Sequence, residues 1–154
     1  MKLYLARHGQ AASSEPGVPA SLTDQGKRDL ALMGRELAVR NLNIEQIWYS
    51  PKTRTRQTAE IYAEILGVKS LNMIEKKVLS PDGDIDLLHH EINESYVQNL
   101  LVVSHEPVLH DLSSFLGVNS EDLSSIVFPP SGVSAFEKGR DWTWLWLLEP
   151  SVLK

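Results

Sequence analysis

The 154-residue sequence contains no cysteine. Disulfides, thiolate metal ligands and a cysteine nucleophile are therefore excluded together. It also lacks any excess of positive charge: 15 Lys and Arg stand against 20 Asp and Glu, a formal net charge of −5 with a pI near 5.5. Nucleic acids and acidic membrane surfaces are bound mainly through their phosphates, so neither is an expected partner, and any anion site must be built locally. No run approaches the ~18 apolar residues that span a bilayer, and the apolar start of the chain is far shorter than a signal-peptide core. The most apolar stretch, WTWLWLLEP, has the length of a strand. The histidines lack zinc-type spacing, because no H-x-x-x-H or H-E-x-x-H pair occurs among His8, His89, His90, His105 and His110. Repeats, low-complexity segments and Pro/Gly-rich linkers are absent too. The chain thus reads as soluble and cytoplasmic, without metal or cofactor, with residues 1–154 as one domain and no demand for more than a monomer.

What is present is an alternation of strand-like and helix-like segments. Apolar, β-branched or aromatic runs predict strands at Lys2–Ala6, Gln46–Tyr49, Asn72–Val78, Leu100–Ser104, Val133–Glu137 and Thr143–Leu148. Helical periodicity predicts Asp24–Arg40, with Leu30, Met33, Leu37 and Ala38 on one face behind Thr23 as N-cap. A second helix is expected over Pro51–Leu66, with Ser50 as N-cap, Pro51 at the first helical position and Gly67 as the stop. A weaker pattern covers Asp84–Asn99, through Ile85, Leu88, Ile92 and Tyr96, and a fourth helix is expected over Glu106–Leu116, with Pro107 near its start and Gly117 after it. This order predicts an α/β fold: three α/β/α layers around a mostly parallel sheet, with an antiparallel edge where the last two strands meet across EKGRDW. Trp142, Trp144 and Trp146 alternate, which places all three on one strand face as packing residues.

The basic residues sit at strand ends. Arg7 and His8 follow the first strand, Arg54 lies in the first turn after the second, and His105 follows the strand at Leu100–Ser104. In a parallel sheet the carboxyl ends of neighbouring strands share one side, and ligands bind there. Two arginines and two histidines would converge from three segments, beside the amino ends of two helices, and an oxyanion such as phosphate is the simplest ligand. Arg56 lies two positions from Arg54, roughly on the opposite helix face. Gly9 lets the backbone turn or approach a ligand beside the pair.

The segments RHG (Arg7–Gly9), LTDQG (Leu22–Gly26), SPKTRTRQTA (Ser50–Ala59) and VVSHEP (Val102–Pro107) together resemble the histidine phosphatase, or phosphoglycerate-mutase-like, superfamily. The short chain resembles its SixA-type phosphohistidine phosphatase branch. That resemblance implies His8 as a nucleophile that is transiently phosphorylated, and Arg7, Arg54 and His105 as groups holding the phosphoryl oxygens. Gly9 and Thr23 complete the expected substrate-binding set, and Thr23, with Gln57 and Thr58, is expected first to organise helix ends behind the pocket. The resemblance implies a metal-free hydrolase acting on a phosphorylated protein, such as a histidine-containing phosphotransfer domain. Only Asp82, Asp84 and Asp86 follow the third strand, without the glutamate context of relatives that protonate an alcohol leaving group. The alternatives are a broader small-molecule phosphomonoesterase and a non-catalytic phospho-ligand module; the intact His8 argues against the latter.

Overall fold

In the computed structural model, residues 1–116 and 127–154 are described, so Gly117, the expected helix stop, lies outside the described residues. Strands β1 (Lys2–Arg7), β2 (Ala11–Ala12), β3 (Ser21–Leu22), β4 (Gln46–Tyr49), β5 (Met73–Glu75), β6 (Asn99–Ser104), β7 (Val133–Lys138) and β8 (Trp142–Leu148) alternate with helices α1 (Asp24–Val39), α2 (Thr53–Leu66), α3 (Ile85–Glu94) and α4 (Val108–Phe115). Six strands form the central sheet in the order β5-β4-β6-β1-β7-β8. In this sheet the β5-β4-β6-β1 pairings are parallel, and β1-β7 and β7-β8 are antiparallel. This is the mostly parallel α/β architecture that the sequence predicts.

The central strands read as unbroken apolar runs because both faces are covered. Leu3, Leu5, Leu100 and Val102 point into the layer with Leu88 and Ile92 of α3 and Leu109 and Leu112 of α4. Tyr4, Ala6, Leu101 and Val103 point the other way, against Leu30, Met33 and Leu37 of α1 and Ala59 and Tyr62 of α2. In register, Arg7 pairs with Ser104, and Tyr49 with Val103. The carboxyl ends of β1, β6 and β4 are therefore level neighbours.

Several boundaries differ from the periodicity for identifiable reasons. The strand expected over Asn72–Val78 keeps only three residues; a 3₁₀ turn at Lys77–Leu79 then buries Leu79 in the core. Helix α2 begins at Thr53, not at Pro51, with Lys52 at its N-cap and no side-chain cap. Gly67 does end it, at φ 72°. Ala38 is exposed, and Gly34 instead lets α1 approach Ile65 of α2. Tyr96 lies beyond the end of α3 and is 97% exposed. The tryptophans do not share one face. Phe136 pairs with Trp144 but Ala135 with Trp146, so Leu145 is an extra residue in β8. This bulge reverses the alternation: Trp142 and Trp144 join the α3/α4 layer, while Trp146 meets Tyr4 on the other face and lies under Arg40.

The segment expected to be irregular, Ala12–Leu22, is closed at its base by the β2-β3 pair. Thr23 caps α1 as expected, its hydroxyl accepting from the Gly26 N–H at 3.0 Å. A Cβ at Gly26 would lie 2.2 Å from the Gln10 carbonyl oxygen. Gly26→Ala should therefore lower stability by about 1–3 kcal/mol, the usual range for overpacking, although alanine is the better helix former. Denaturant midpoints of the two proteins check this, and an unchanged or higher midpoint would contradict it.

Candidate active site

His8 follows β1, Arg54 opens α2 beyond β4, and His105 follows β6, so three adjacent strand ends bring them together. The imidazole rings of His8 and His105 lie 5.2 Å apart between centroids, crossed at 60°. Arg54 stands between them. Its Nε lies 3.2 Å from His8 Nε2 and its Nη2 lies 3.3 Å from His105 Nδ1.

A guanidinium can only donate, so both facing ring nitrogens present lone pairs. Each ring then carries its proton on the far nitrogen, and each of those has an acceptor. His8 Nδ1 donates to the Gly9 carbonyl at 2.8 Å, and His105 Nε2 donates to Ser50 Oγ at 2.6 Å. The serine passes the chain on to Thr55 Oγ1 at 2.7 Å, whose hydroxyl reaches the carbonyls of Ser50 and Lys52. Opposite tautomers thus follow from one cation placed between two rings.

The electrostatics agree. Burial, with the charges of Arg54 and Arg7, pushes His8 down to about 4 against a partly opposing bond to the Gly9 carbonyl. Burial, followed by Arg54 and then His8, Lys52 and Arg7, pushes His105 down to about 3. Both rings are neutral at pH 7. His105 is buried, at 2% exposure, while His8 keeps a partly open face.

Arg7 ends β1 and is fixed by Nη1 donating to the Phe128 carbonyl at 2.7 Å. Its Nε is buried without an acceptor. No described carboxylate pairs with Arg7 or Arg54, whereas Arg56 turns away to Glu60 at 3.7 Å and Arg40 pairs with Glu36. In a protein with surplus carboxylates, two guanidiniums in one cleft are left to other acceptors.

Gly9 donates its N–H to Thr58 Oγ1 at 3.1 Å, and that hydroxyl donates to the Arg54 carbonyl at 2.8 Å. Its small size suits the packing around it: a Cβ would meet Leu30 Cδ1 at 2.7 Å and Leu22 Cδ2 at 3.1 Å, so those side chains would have to shift. Thr23 is placed differently from the other five expected site residues. Its hydroxyl is engaged with Gly26 N–H and with Gln10 Oε1 at 2.6 Å, so it supports the loop after Gly9. Gln57 accepts from the Leu22 N–H, as the reading of a supporting role implies. Asp84 caps α3 through the Leu87 N–H, and Asp82 and Asp86 are exposed. Sequence reasoning gave Ser50 to a helix cap and missed its bond to His105. The signal was its place directly after a strand end. The Phe128 carbonyl carries no side-chain signature at all.

Among the described residues, no group of three or more His, Asp or Glu is placed to hold a metal ion, and no helix is long and apolar enough to cross a membrane. A groove of about 770 Å³, lined by residues including Trp48, Ile74, Glu91 and Tyr96, shares no residue with the histidine cluster.

Two predictions follow from the neutral rings. An unfolded histidine titrates near 6.5, above both folded values, so the unfolded chain binds protons first as pH falls. Stability should therefore be intact above about 6.5 and decline towards about 4 for His8 and about 3 for His105. Thermal unfolding across pH, with His105→Gln flattening the decline, checks this; a wild-type curve flat across this window would contradict it. Ser50→Ala should cost about 1–3 kcal/mol by leaving the buried His105 N–H unpaired, measured as a denaturant midpoint.

The fold has counterparts among known proteins. No curated protein matches the chain significantly. Among solved structures, the chain is similar to the protein histidine phosphatase SixA complexed with tungstate, with 28% identity, a TM-score of 0.89 and complete coverage of both chains. It also resembles a protein assigned as phosphohistidine phosphatase SixA from Agrobacterium tumefaciens, at 22% identity, TM-score 0.81 and 97% coverage of each chain. A mycobacterial glucosyl-3-phosphoglycerate phosphatase shares the fold at 12% identity and TM-score 0.67, over 96% of this chain and 97% of that one. Residues 3–79, which include Arg7, His8 and Arg54, match the histidine phosphatase superfamily, branch 1. With that match and the SixA-like fold, the chain belongs to the histidine phosphatase superfamily.

Proposed function

We propose that the chain is a phosphohistidine phosphatase that works through a phosphorylated His8. The observation that carries this reading is the His8 ring itself. Its Nδ1–H is held by the Gly9 carbonyl, which leaves a neutral Nε2 with its lone pair beside Arg54. A neutral imidazole held in that way is a nucleophile in its reactive form.

In the first step the Nε2 lone pair attacks phosphorus in line. The bond from phosphorus to the substrate's imidazole nitrogen breaks, and that nitrogen keeps the electron pair. A proton on the substrate ring's other nitrogen makes this leaving group neutral. In the second step water attacks phospho-His8, inorganic phosphate departs and the electron pair returns to Nε2. Phosphoryl transfer demands mainly in-line positioning and positive charge around the equatorial oxygens. Arg7, with a donor lacking an acceptor, Arg54 and His105 are the groups for that task. Arg54 exchanges its two ring contacts for phosphoryl oxygens when substrate enters.

The tungstate-bound SixA relative supports a tetrahedral oxyanion as ligand. The choice of phosphohistidine over an alcohol ester rests on the carboxylates. Asp82, Asp84 and Asp86 are exposed or engaged in capping, so an alkoxide leaving group has no donor among them. The substrate in this reading is a phosphorylated protein, such as a histidine-containing phosphotransfer domain, that presents its phosphoimidazole to the open side of the strand ends.

His8→Ala should abolish turnover of a phosphohistidine protein and leave no acid-labile phosphate on the enzyme, whereas wild type retains a trace of label in a rapid alkaline quench. Turnover retained in that variant would end the proposal. Arg54→Ala should lower kcat/KM by about 10²–10³-fold, the scale of a lost electrostatic donor. Activity should persist with a chelator, and equal or higher kcat/KM on small phosphoesters would favour the broader phosphomonoesterase.

A further inference from the structure

The carboxylate of Glu106 sits one residue beyond His105 and is half-buried. Burial raises its pKa, opposed by N–H bonds from His110 and Phe128 and by the charge of Arg7. Such a group invites a role in proton transfer, but its contacts point elsewhere. Its Oε1 accepts the His110 N–H at 3.1 Å in the first turn of α4, and the carboxylate also takes the Phe128 N–H. The Phe128 side chain is anchored in the core at 1% exposure, and its carbonyl receives Arg7 Nη1 at 2.7 Å.

The chain around Phe128 is tied to the active-site strand end at further points. The Arg7 N–H donates to the Gly132 carbonyl at 2.9 Å and the Ser131 N–H to the His8 carbonyl at 3.1 Å. Those bonds fix the backbone of Arg7 and His8. The reach of the Arg7 side chain depends instead on where the Phe128 carbonyl stands, and the other backbone group of Phe128 is held by Glu106.

We propose that Glu106 is a positioning residue for Arg7: by holding Phe128 it sets the carbonyl that aims the Arg7 guanidinium at the phosphoryl oxygens. This rests on the reading of Arg7 as a phosphate clamp. A carboxylate that accepts two peptide N–H groups acts as an anchor, and its effect reaches the substrate only through Arg7. The consequence is specific. Loss of Glu106 weakens oxyanion binding and turnover regardless of the leaving group, and does so only while Arg7 is present.

The test is a double-mutant cycle of Glu106→Ala and Arg7→Ala, with Glu106→Gln as the variant of equal size. The readouts are the inhibition constant of inorganic phosphate and kcat/KM for a phosphohistidine protein and for aryl phosphates of graded leaving-group pKa. Glu106→Ala should raise the phosphate inhibition constant and lower kcat/KM by about tenfold, a typical coupling between groups sharing one network. Glu106→Gln, which keeps one accepting oxygen, should fall between it and wild type. In the Arg7→Ala background either change should matter less than about twofold. Multiplicative effects in the double variant would overturn the proposal. So would a loss that grows with leaving-group pKa, which would mark Glu106 as a proton donor. If Glu106→Ala does not fold, the cycle with Glu106→Gln decides by the same criterion. If Arg7→Ala itself leaves phosphate binding intact, the clamp reading of Arg7 fails instead.

Discussion

Everything at this site depends on a single cation set between two neutral rings. Arg54 has only donors to offer, so His8 and His105 must turn lone pairs towards it and keep their protons on the far side. That arrangement is stable because both far nitrogens have fixed acceptors, the Gly9 carbonyl and the Ser50 hydroxyl. Without those anchors, rotation or protonation of either ring would place like charges beside the guanidinium. With them, the nucleophile is held in its reactive tautomer by the fold, before any substrate arrives.

The fold supplies this geometry through the level carboxyl ends of β4, β6 and β1. A parallel arrangement aims the residues that follow each strand to one side, and the helices packed on both faces hold the strands there. Arg40 and Arg56 pair with glutamates on exposed helix faces, while no described carboxylate forms an ion pair with Arg7 or Arg54. A guanidinium tied to carboxylate would have to give up that partner to meet phosphate, and here, among the described residues, ring nitrogens and a peptide carbonyl compete.

Much of this was legible in the sequence because it follows from local rules. Uninterrupted apolar runs marked strands buried on both sides, Thr23 and Gly67 marked helix ends, and the spacing of RHG, SPKTRTRQTA and SHEP placed charged residues at neighbouring strand ends. What escaped depends on tertiary context. Leu145 inserts one residue into β8, which a strict period of two cannot reveal, so Trp146 crossed to the opposite face. Ser50 carries the same letter whether it caps a helix or accepts a proton from a buried histidine. The Phe128 carbonyl that holds Arg7 lies 121 positions away in sequence and is invisible to any side-chain pattern. Gly9 was read as a turn or a close approach to a ligand, and the packing of Leu30 and Leu22 over it was not visible in the sequence.

The central claim is that the ligand-free protein at neutral pH holds two uncharged histidines in opposite tautomers around Arg54. Nitrogen-15 NMR of the imidazole rings at pH 7, assigned with His8→Gln and His105→Gln variants, tests it most directly. The account predicts a proton on Nδ1 alone in His8 and on Nε2 alone in His105. An imidazolium at either position, or a proton on His8 Nε2, would contradict it.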